Sequence, residues 1–152
     1  MKKNKENYLI ESQLLDILIV DRKSEANHLQ LYIKKLMHKA TILDSYKEAL
    51  HEIRNRDFDL IMIEMNLSKG NGIDLIKQIR KLKGILNVLA MTRDTSRELE
   101  RKAREQRVIY YMIKPFEANE LQSIINHILK KKRQTHSLSE SIDEAGIKNL
   151  KF

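Results

Sequence analysis

The sequence predicts an α/β protein with a doubly wound, five-stranded parallel sheet and five helices on its two faces. Between residues 14 and 131, short apolar runs alternate with segments of helical period, which is typical of βαβ units. The central runs are apolar without interruption, as over residues 60–63, and this indicates strands that are buried on both sides. The length of 152 residues suits one such domain with a proper core.

The N-terminal part of the chain is predicted to hold an arm, two strands and two helices. Residues 1–13 are polar and lack a clear period, and we expect a flexible N-terminal arm there. Ser24 is a good N-cap for the first helix, and Glu25 in its first turn suits the helix dipole. Residues 44 and 45 cap a second helix, which carries Ala49, Leu50 and Ile53. The predicted strands are 14–20 and 40–43, and the first helix follows its cap at Ser24 and carries apolar residues as far as Met37.

The remainder of the chain continues the alternation to the last helix. Gly84 is predicted to end the third helix, and the apolar residues of the last helix recur at i, i+3, i+4, i+7 and i+8. Residues 133–152 are polar and rich in serine, so we expect a C-terminal tail after a domain at 14–132. The predicted strands are 60–63, 87–91 and 108–113, and the predicted helices are 72–82, 96–106 and 117–131.

Composition excludes several classes of function. The chain has no cysteine, which rules out disulfides, thiolate zinc sites and cysteine nucleophiles. No apolar run approaches the roughly 18 residues of a membrane span, and no signal peptide is evident, so we expect a cytoplasmic protein without membrane contact. The net charge is +8, from 29 Lys plus Arg against 21 Asp plus Glu. That charge permits an acidic protein or a nucleic acid as partner, and a solvated basic surface has the same composition.

Polar residues stand at the ends of four predicted strands. The carboxyl ends of parallel strands lie along one edge of a sheet, where ligands bind in α/β proteins. We therefore expect these residues to form a candidate site. They are Asp21 and Arg22 after the first strand, Glu64 after the third, Thr92 and Arg93 after the fourth, and Lys114 and Pro115 after the fifth.

The same residues carry a resemblance to a known family. They are Ile63-Glu64-Met65-Asn66-Leu67 with Gly70 and Gly72, then Thr92, then Lys114-Pro115-Phe116. Over residues 14–131 this pattern resembles the receiver domain of two-component response regulators. The resemblance implies a flavodoxin-like fold with strand order 2-1-3-4-5. It also implies a site that accepts a phosphoryl group from a histidine kinase with the help of Mg²⁺.

The resemblance also implies roles for single residues. An Asp at the position of Glu64 is the nucleophile in the family, and a pair of acids at the end of the first strand holds the metal. Thr92 and Lys114 are then the residues that contact the phosphoryl group, and the Lys114–Pro115 bond is implied to be cis. Tyr111 is the aromatic residue that swings together with Thr92 to report the state of the site.

The sequence departs from the family pattern at five positions. Glu64 replaces the phosphoacceptor Asp, and Arg22 stands where the second metal-binding acid should be. Arg93 occupies a position that the family keeps small to admit the phosphodonor. Ser68 replaces the usual Pro, and Arg107 replaces the Gly that precedes the fifth strand.

These departures predict weak or absent Mg²⁺ binding, no cofactor and no enzymatic activity. Asp21 and Glu64 oppose Arg22 and Lys114, which sums to about zero charge, or about +1 if Arg93 points inward. Glu also moves its carboxylate outward by one methylene, and phosphoryl transfer depends on positioning. Phosphorylation is therefore expected to be absent or very slow.

Two hypotheses for Glu64 remain open. In one, Glu64 is a permanent anion paired with Arg22 or Lys114, so that it partly mimics the phosphorylated state. In the other, the site is a stable remnant and the domain is a binding scaffold. Both describe a pseudo-receiver that regulates through protein–protein contact, with a homodimer left open. A receiver that is still phosphorylated weakly at Glu64 is the alternative within the family.

A basic stripe provides a further alternative. In receivers the fourth helix, fifth strand and fifth helix form the usual output face. Here Arg97, Arg101 and Arg104, with Arg93 before them, lie on one side of a helix. The stripe suits an acidic protein partner or a nucleic acid, which would make the chain a basic nucleic-acid-associated regulator. It equally suits a solvated helix with ion pairs from Glu98 to Lys102 and from Glu100 to Arg104.

Overall fold

The computed structural model describes residues 5–11, 13–67 and 69–149. The interpretation of Ser68, and the outermost residues of the expected arm and tail, lie outside these described residues. The described chain divides into two compact units. One contains the described residues between 15 and 118, and the other contains the described residues before 15 and from 119 to 149.

The larger unit contains a five-stranded parallel sheet in the order β2-β1-β3-β4-β5. This order confirms the predicted doubly wound topology, with β1, β3 and β4 in the interior. Each strand lies within two residues of its predicted bounds. The strands are β1 (Asp16–Val20), β2 (Lys39–Leu43), β3 (Leu60–Glu64), β4 (Val88–Thr92) and β5 (Tyr110–Ile113).

Six helices are present in the described part of the chain, one more than predicted. The additional one is α1, whose seven residues are too few to show a helical period, since short segments have little helical signal of their own. It lies within the segment predicted to be an arm. The helices are α1 (Lys5–Glu11), α2 (Lys23–Lys35), α3 (Tyr46–Asn55), α4 (Gly72–Lys83), α5 (Arg97–Glu105) and α6 (Ala118–Asn149).

The last helix is longer than its sequence pattern predicts. Its apolar positions Leu121, Ile124, Ile125 and Ile128 are buried, as the period indicates. The backbone of α6 then continues as a helix to Asn149, through most of the predicted tail. Apolar period marks the part of a helix that packs, whereas a polar stretch without proline can stay helical after the period has ended. Near its middle, Lys132 donates a hydrogen bond of 2.8 Å to the Leu14 carbonyl.

The core of the larger unit is built from the strands and the inward faces of α2, α3, α4 and α5. Every residue of β3 and β4 is buried, as expected for central strands that are covered on both faces. Gly72 brings α4 close to the end of β3, because a Cβ on this residue would lie 2.7 Å from the Glu64 carbonyl oxygen. The first residue of α4 is therefore restricted to glycine by its distance from the strand that carries Glu64.

Helix ends agree with the predicted caps except at α2. Ser45 accepts a hydrogen bond from the Glu48 amide at the start of α3, and Gly84 ends α4 with a φ of 62°. Helix α2 begins at Lys23 with Arg22 as its N-cap, two residues before the predicted cap, and Arg22 makes no capping hydrogen bond through its side chain. The predicted cap, Ser24, lies inside the helix. No helix among the described residues has both the length and the apolar character that crossing a membrane requires.

Candidate functional site

The carboxyl edge of the sheet brings the predicted strand-end residues together. Glu64 and Thr92 are the last residues of β3 and β4, Asp21 directly follows β1, and Lys114 directly follows β5. Asp21, Glu64 and Thr92 are buried. Glu64 and Thr92 are close because β3 pairs with β4 from Ile61 to Glu64 and both strands end at the same edge.

Lys114 is the centre of the site. Its Nζ atom donates a hydrogen bond of 2.6 Å to Asp21 Oδ2 and lies 2.8 Å from Glu64 Oε2. The second contact is an ion pair that lacks hydrogen-bond geometry, since Glu64 Oε2 is buried without an aligned donor. Of the two sequence-derived partners for Glu64, Lys114 rather than Arg22 therefore makes the contact.

The two carboxylates determine the protonation of Lys114. Burial lowers the pKa of Lys114, but the carboxylates of Asp21 and Glu64 outweigh this effect and hold the pKa above its ordinary value. The ammonium is consequently charged at neutral pH. A protein cation thus lies between the residue at the acceptor position and the first acid of the site.

The other polar atoms of the site are engaged by nearby backbone. Asp21 Oδ1 accepts a hydrogen bond of 2.7 Å from the Arg22 amide, and Glu64 Oε1 accepts a long one of 3.4 Å from the Asn66 amide. Thr92 Oγ1 accepts one of 3.0 Å from the Asp94 amide. These contacts orient the side chains at the strand ends.

Arg93 is bound by a residue that the sequence analysis did not assign to the site. Its Nη2 atom lies 2.9 Å from Glu25 Oε2, and the same oxygen of Glu25 lies 3.7 Å from Lys114 Nζ. Sequence reasoning relates Glu25 only to the dipole of α2. A signal was available in its spacing, because Glu25 follows Asp21 by four residues and lies in the first turn of the helix after β1.

The charged residues of the site and Asn66 line a pocket of about 170 Å³. Three carboxylates, from Asp21, Glu25 and Glu64, face three cations, from Arg22, Arg93 and Lys114. The formal charge of the pocket is thus zero. The sequence predicts a charge of about +1 if Arg93 points inward. The charge of Glu25, which that sum omits, brings the total to zero. Among the described residues, no group of three or more acidic or histidine side chains is arranged to hold a metal ion.

Tyr111 is held in an inward position on β5. Its ring packs against the hydrophobic core, and its hydroxyl oxygen is buried without a hydrogen-bond partner. Burial raises the pKa of this hydroxyl, and the charges of Glu100 and Asp94 add to the effect. The Lys114–Pro115 peptide bond is cis, as the resemblance implies.

The predicted basic stripe on α5 is largely paired within its own helix. Arg101 binds Glu98 at 2.7 Å and also contacts Glu105, and Arg104 binds Glu100 at 2.8 Å. Glu98 lies 3.9 Å from Lys102, so both predicted i, i+4 pairs are confirmed. Intrahelical carboxylates therefore offset the positive charge of Arg101 and Arg104.

Comparison with known proteins identifies the family of the chain. A family model described as the response regulator receiver domain matches residues 17–126. The transcriptional regulatory protein ZraR of Escherichia coli K12 is 30% identical over 125 residues, which are 82% of this chain and 28% of that protein. The chain thus spans less than a third of the length of the ZraR relatives it matches.

Solved structures share the fold. A CheY-like response regulator receiver domain protein from Methanospirillum hungatei JF-1 superposes with a TM-score of 0.73 at 22% identity and covers 80% of this chain and 98% of that one. A two-component response regulator from Clostridium difficile superposes with a TM-score of 0.72 at 26% identity, covering 76% and 96%.

Proposed function

The chain belongs to the response regulator receiver domain family, and from this premise we propose that it is a pseudo-receiver of two-component signalling. In this proposal it acts through protein–protein contact, is not an enzyme, and is not phosphorylated at Glu64. The observation that carries the proposal is the position of Lys114, whose ammonium lies 2.6 Å from Asp21 and 2.8 Å from Glu64.

Electrostatics supports weak or absent Mg²⁺ binding. A divalent cation prefers a site with several free anionic oxygens, whereas here the charges of the lining residues cancel. Arg22 stands at the position that the family gives to a metal-binding acid. Without the metal, a transferring phosphoryl group lacks its main source of charge stabilisation.

The contact between Glu64 and Lys114 supports Glu64 as a permanent anion over the remnant hypothesis. The family uses its lysine to contact the phosphoryl group, and here the side chain of Glu64 itself supplies an anion to that lysine. Glu64 carries about one negative charge, against about two for a phosphorylated residue. The pseudo-receiver would therefore stay in one signalling state and present one surface to its partner, either another protein or a second copy of the chain, in the cytoplasm.

The decisive experiment compares the native chain with a restored variant that carries Arg22→Asp and Glu64→Asp. Both are incubated with acetyl phosphate and Mg²⁺ and analysed by intact mass. We expect the restored variant to gain one phosphoryl group and the native chain to gain none, because only the former has the acids for Mg²⁺. A stable gain by the native chain that Glu64→Gln abolishes would overturn the proposal.

A second experiment separates a fixed signalling state from a remnant site. Partners are captured with the intact chain, and their affinity is then measured for the native chain and for Glu64→Gln. The permanent-anion form of the proposal expects weaker binding by Glu64→Gln, whereas an unchanged affinity supports the remnant. The Glu52→Gln variant is the matched control, since it neutralises a partly exposed glutamate on α3, away from both the pocket and α5. Repeating the capture without residues 133–152 tests whether the extension of α6 contributes to binding.

A further inference from the structure

We infer that Glu25 and Arg93 form a latch across the mouth of the pocket, which ties the loop after β4 to the start of α2 and restricts the entry of phosphoryl anions. The inference rests on the proposed function, since it adds a second barrier at the same site. It concerns access and loop position, whereas the proposed function concerns metal binding and charge.

The latch joins two elements that are distant in sequence. Arg93 directly follows β4, and Glu25 lies in the first turn of α2, 68 residues earlier. The two side chains meet at 2.9 Å in a hydrogen-bonded ion pair. Both also line the pocket that contains Glu64. The ion pair therefore spans the opening from the α2 side to the β4 side.

The loop held by the latch has its own internal hydrogen bonds. The Asp94 amide donates to Thr92 Oγ1 at 3.0 Å, and the Ser96 amide donates to Asp94 Oδ1 at 2.8 Å. These bonds shape residues 92–96 locally but do not connect the loop to α2. Arg93 makes that connection through its guanidinium. Loss of the Glu25 carboxylate should therefore loosen the loop as a unit, starting at the residue next to Thr92.

The charge of Glu25 also hinders the entry of phosphoryl anions. The hydrogen bond from Arg93 lowers the pKa of Glu25, with burial opposing and the charge of Lys114 assisting. Glu25 is thus an anion at neutral pH, and it presents negative charge to an approaching phosphodonor. Its oxygen is also 3.7 Å from Lys114 Nζ, so Glu25 competes with an incoming anion for that ammonium.

The latch is exposed and consequently weak. The side chain of Arg93 is 61% exposed and that of Glu25 is 35% exposed, and exposed ion pairs are screened by salt. The latch should therefore open frequently, and the fraction of time that it is open should increase with ionic strength. This dependence separates the latch from the pair of Lys114 with Asp21, which is buried and screened much less.

The test measures amide hydrogen exchange at Asp94 and Ser96 in the full chain by NMR. The Glu25→Gln variant should exchange about two- to fivefold faster than the native chain. High salt should accelerate exchange in the native chain and have little effect in Glu25→Gln. Glu52→Gln is the control, because it removes a glutamate that pairs with an exposed arginine at the end of α3, away from residues 92–96. Exchange in Glu25→Gln that equals that of the native chain or the control would overturn the inference.

Access is tested in the restored variant, with and without Glu25→Gln, by following the mass gain with acetyl phosphate. We expect the additional substitution to accelerate phosphorylation several-fold, and equal rates would contradict a barrier to entry. If the restored variant gains no phosphoryl group at all, the metal-based explanation in the proposed function fails. In that case the exchange measurement at Asp94 and Ser96 still decides whether the latch exists.

Discussion

The Nζ atom of Lys114 lies 2.8 Å from Oε2 of Glu64, which puts a positive charge of the protein beside the residue at the acceptor position. The two residues are 50 positions apart in the chain and meet because β3 and β5 end at the same edge of the sheet. Asp21, 93 positions before Lys114, completes the group at 2.6 Å. The stability of a buried group of this kind depends on each of its charges, because the loss of one charge leaves another unpaired.

Replacement of Lys114 by methionine should destabilise the fold. Methionine keeps an unbranched chain but leaves the buried carboxylates of Asp21 and Glu64 without their cation, which should lower the free energy of unfolding by about 2–4 kcal/mol. Urea denaturation of the native and variant chains measures the loss. The double variant with Glu64→Gln should recover part of it, since one unpaired charge is removed. Equal stability of native and Lys114→Met chains would show that the group contributes nothing.

The contribution of Lys114 should depend on pH at the alkaline end. Its pKa in the folded chain is above the ordinary value of 10.5, so folding favours the protonated form. The stabilisation is then fully present below the pKa of the unfolded chain and is lost as pH rises through the higher folded pKa. We expect the stability difference between native and Lys114→Met chains to be constant from about pH 7 to about pH 9 and to shrink above about pH 10.5. A difference that shrinks below pH 9 would contradict this assignment.

Replacement of Tyr111 by phenylalanine should preserve or increase stability. The Tyr111 hydroxyl is buried without a partner, so its removal relieves a desolvation penalty and should change the free energy of unfolding by about 0 to +2 kcal/mol. Tyr32→Phe is the control, because the Tyr32 hydroxyl donates to the Ala118 carbonyl at 3.1 Å and its loss should cost about 0.5–1 kcal/mol. Thermal unfolding of both variants measures these changes in stability. A clear loss of stability in Tyr111→Phe would show that the Tyr111 hydroxyl has a hydrogen-bond partner.

Replacement of Arg107 by glycine should stabilise the turn before β5. Arg107 has a φ of 59°, a conformation that costs a side chain about 1 kcal/mol and costs glycine little. The Arg107 carbonyl accepts a hydrogen bond of 2.8 Å from Arg80, and glycine retains that acceptor. We expect a gain of about 0.5–1 kcal/mol in unfolding free energy by urea denaturation. Lys77→Gly, within α4, is the control and should lose about 1 kcal/mol.

Most of the fold follows from local patterns in the chain. The unbroken apolar run of β3, the cap at Ser45 and the stop at Gly84 each act over a few residues, so the sequence predicts them. Two helical segments escape such reasoning. Helix α1 is too short to show a period, and the extension of α6 is polar, so neither has the apolar repeat by which a helix is recognised.

The site is predictable in its members but not in its contacts. Strand ends and their order place Asp21, Glu64, Thr92 and Lys114 at one edge, and this much is confirmed. The sequence leaves two partners open for Glu64, and it gives Glu25 no role in the pocket. The partner of a long, flexible side chain depends on distances that are set by the packing of the backbone. Those distances cannot be read from spacing along the chain.

By itself, the sequence determined the parallel sheet and the edge that holds the charged residues. Those features depend on residue type and on periods of two to four residues, whereas the departure at Arg22 became visible only through the resemblance to receivers. The tertiary structure decided that Lys114 pairs with Glu64, that Arg93 binds Glu25, and that the charges of the pocket cancel. The physical reason is that ion pairing requires separations of a few ångströms between atoms, and only the folded chain brings together residues that are up to 93 positions apart.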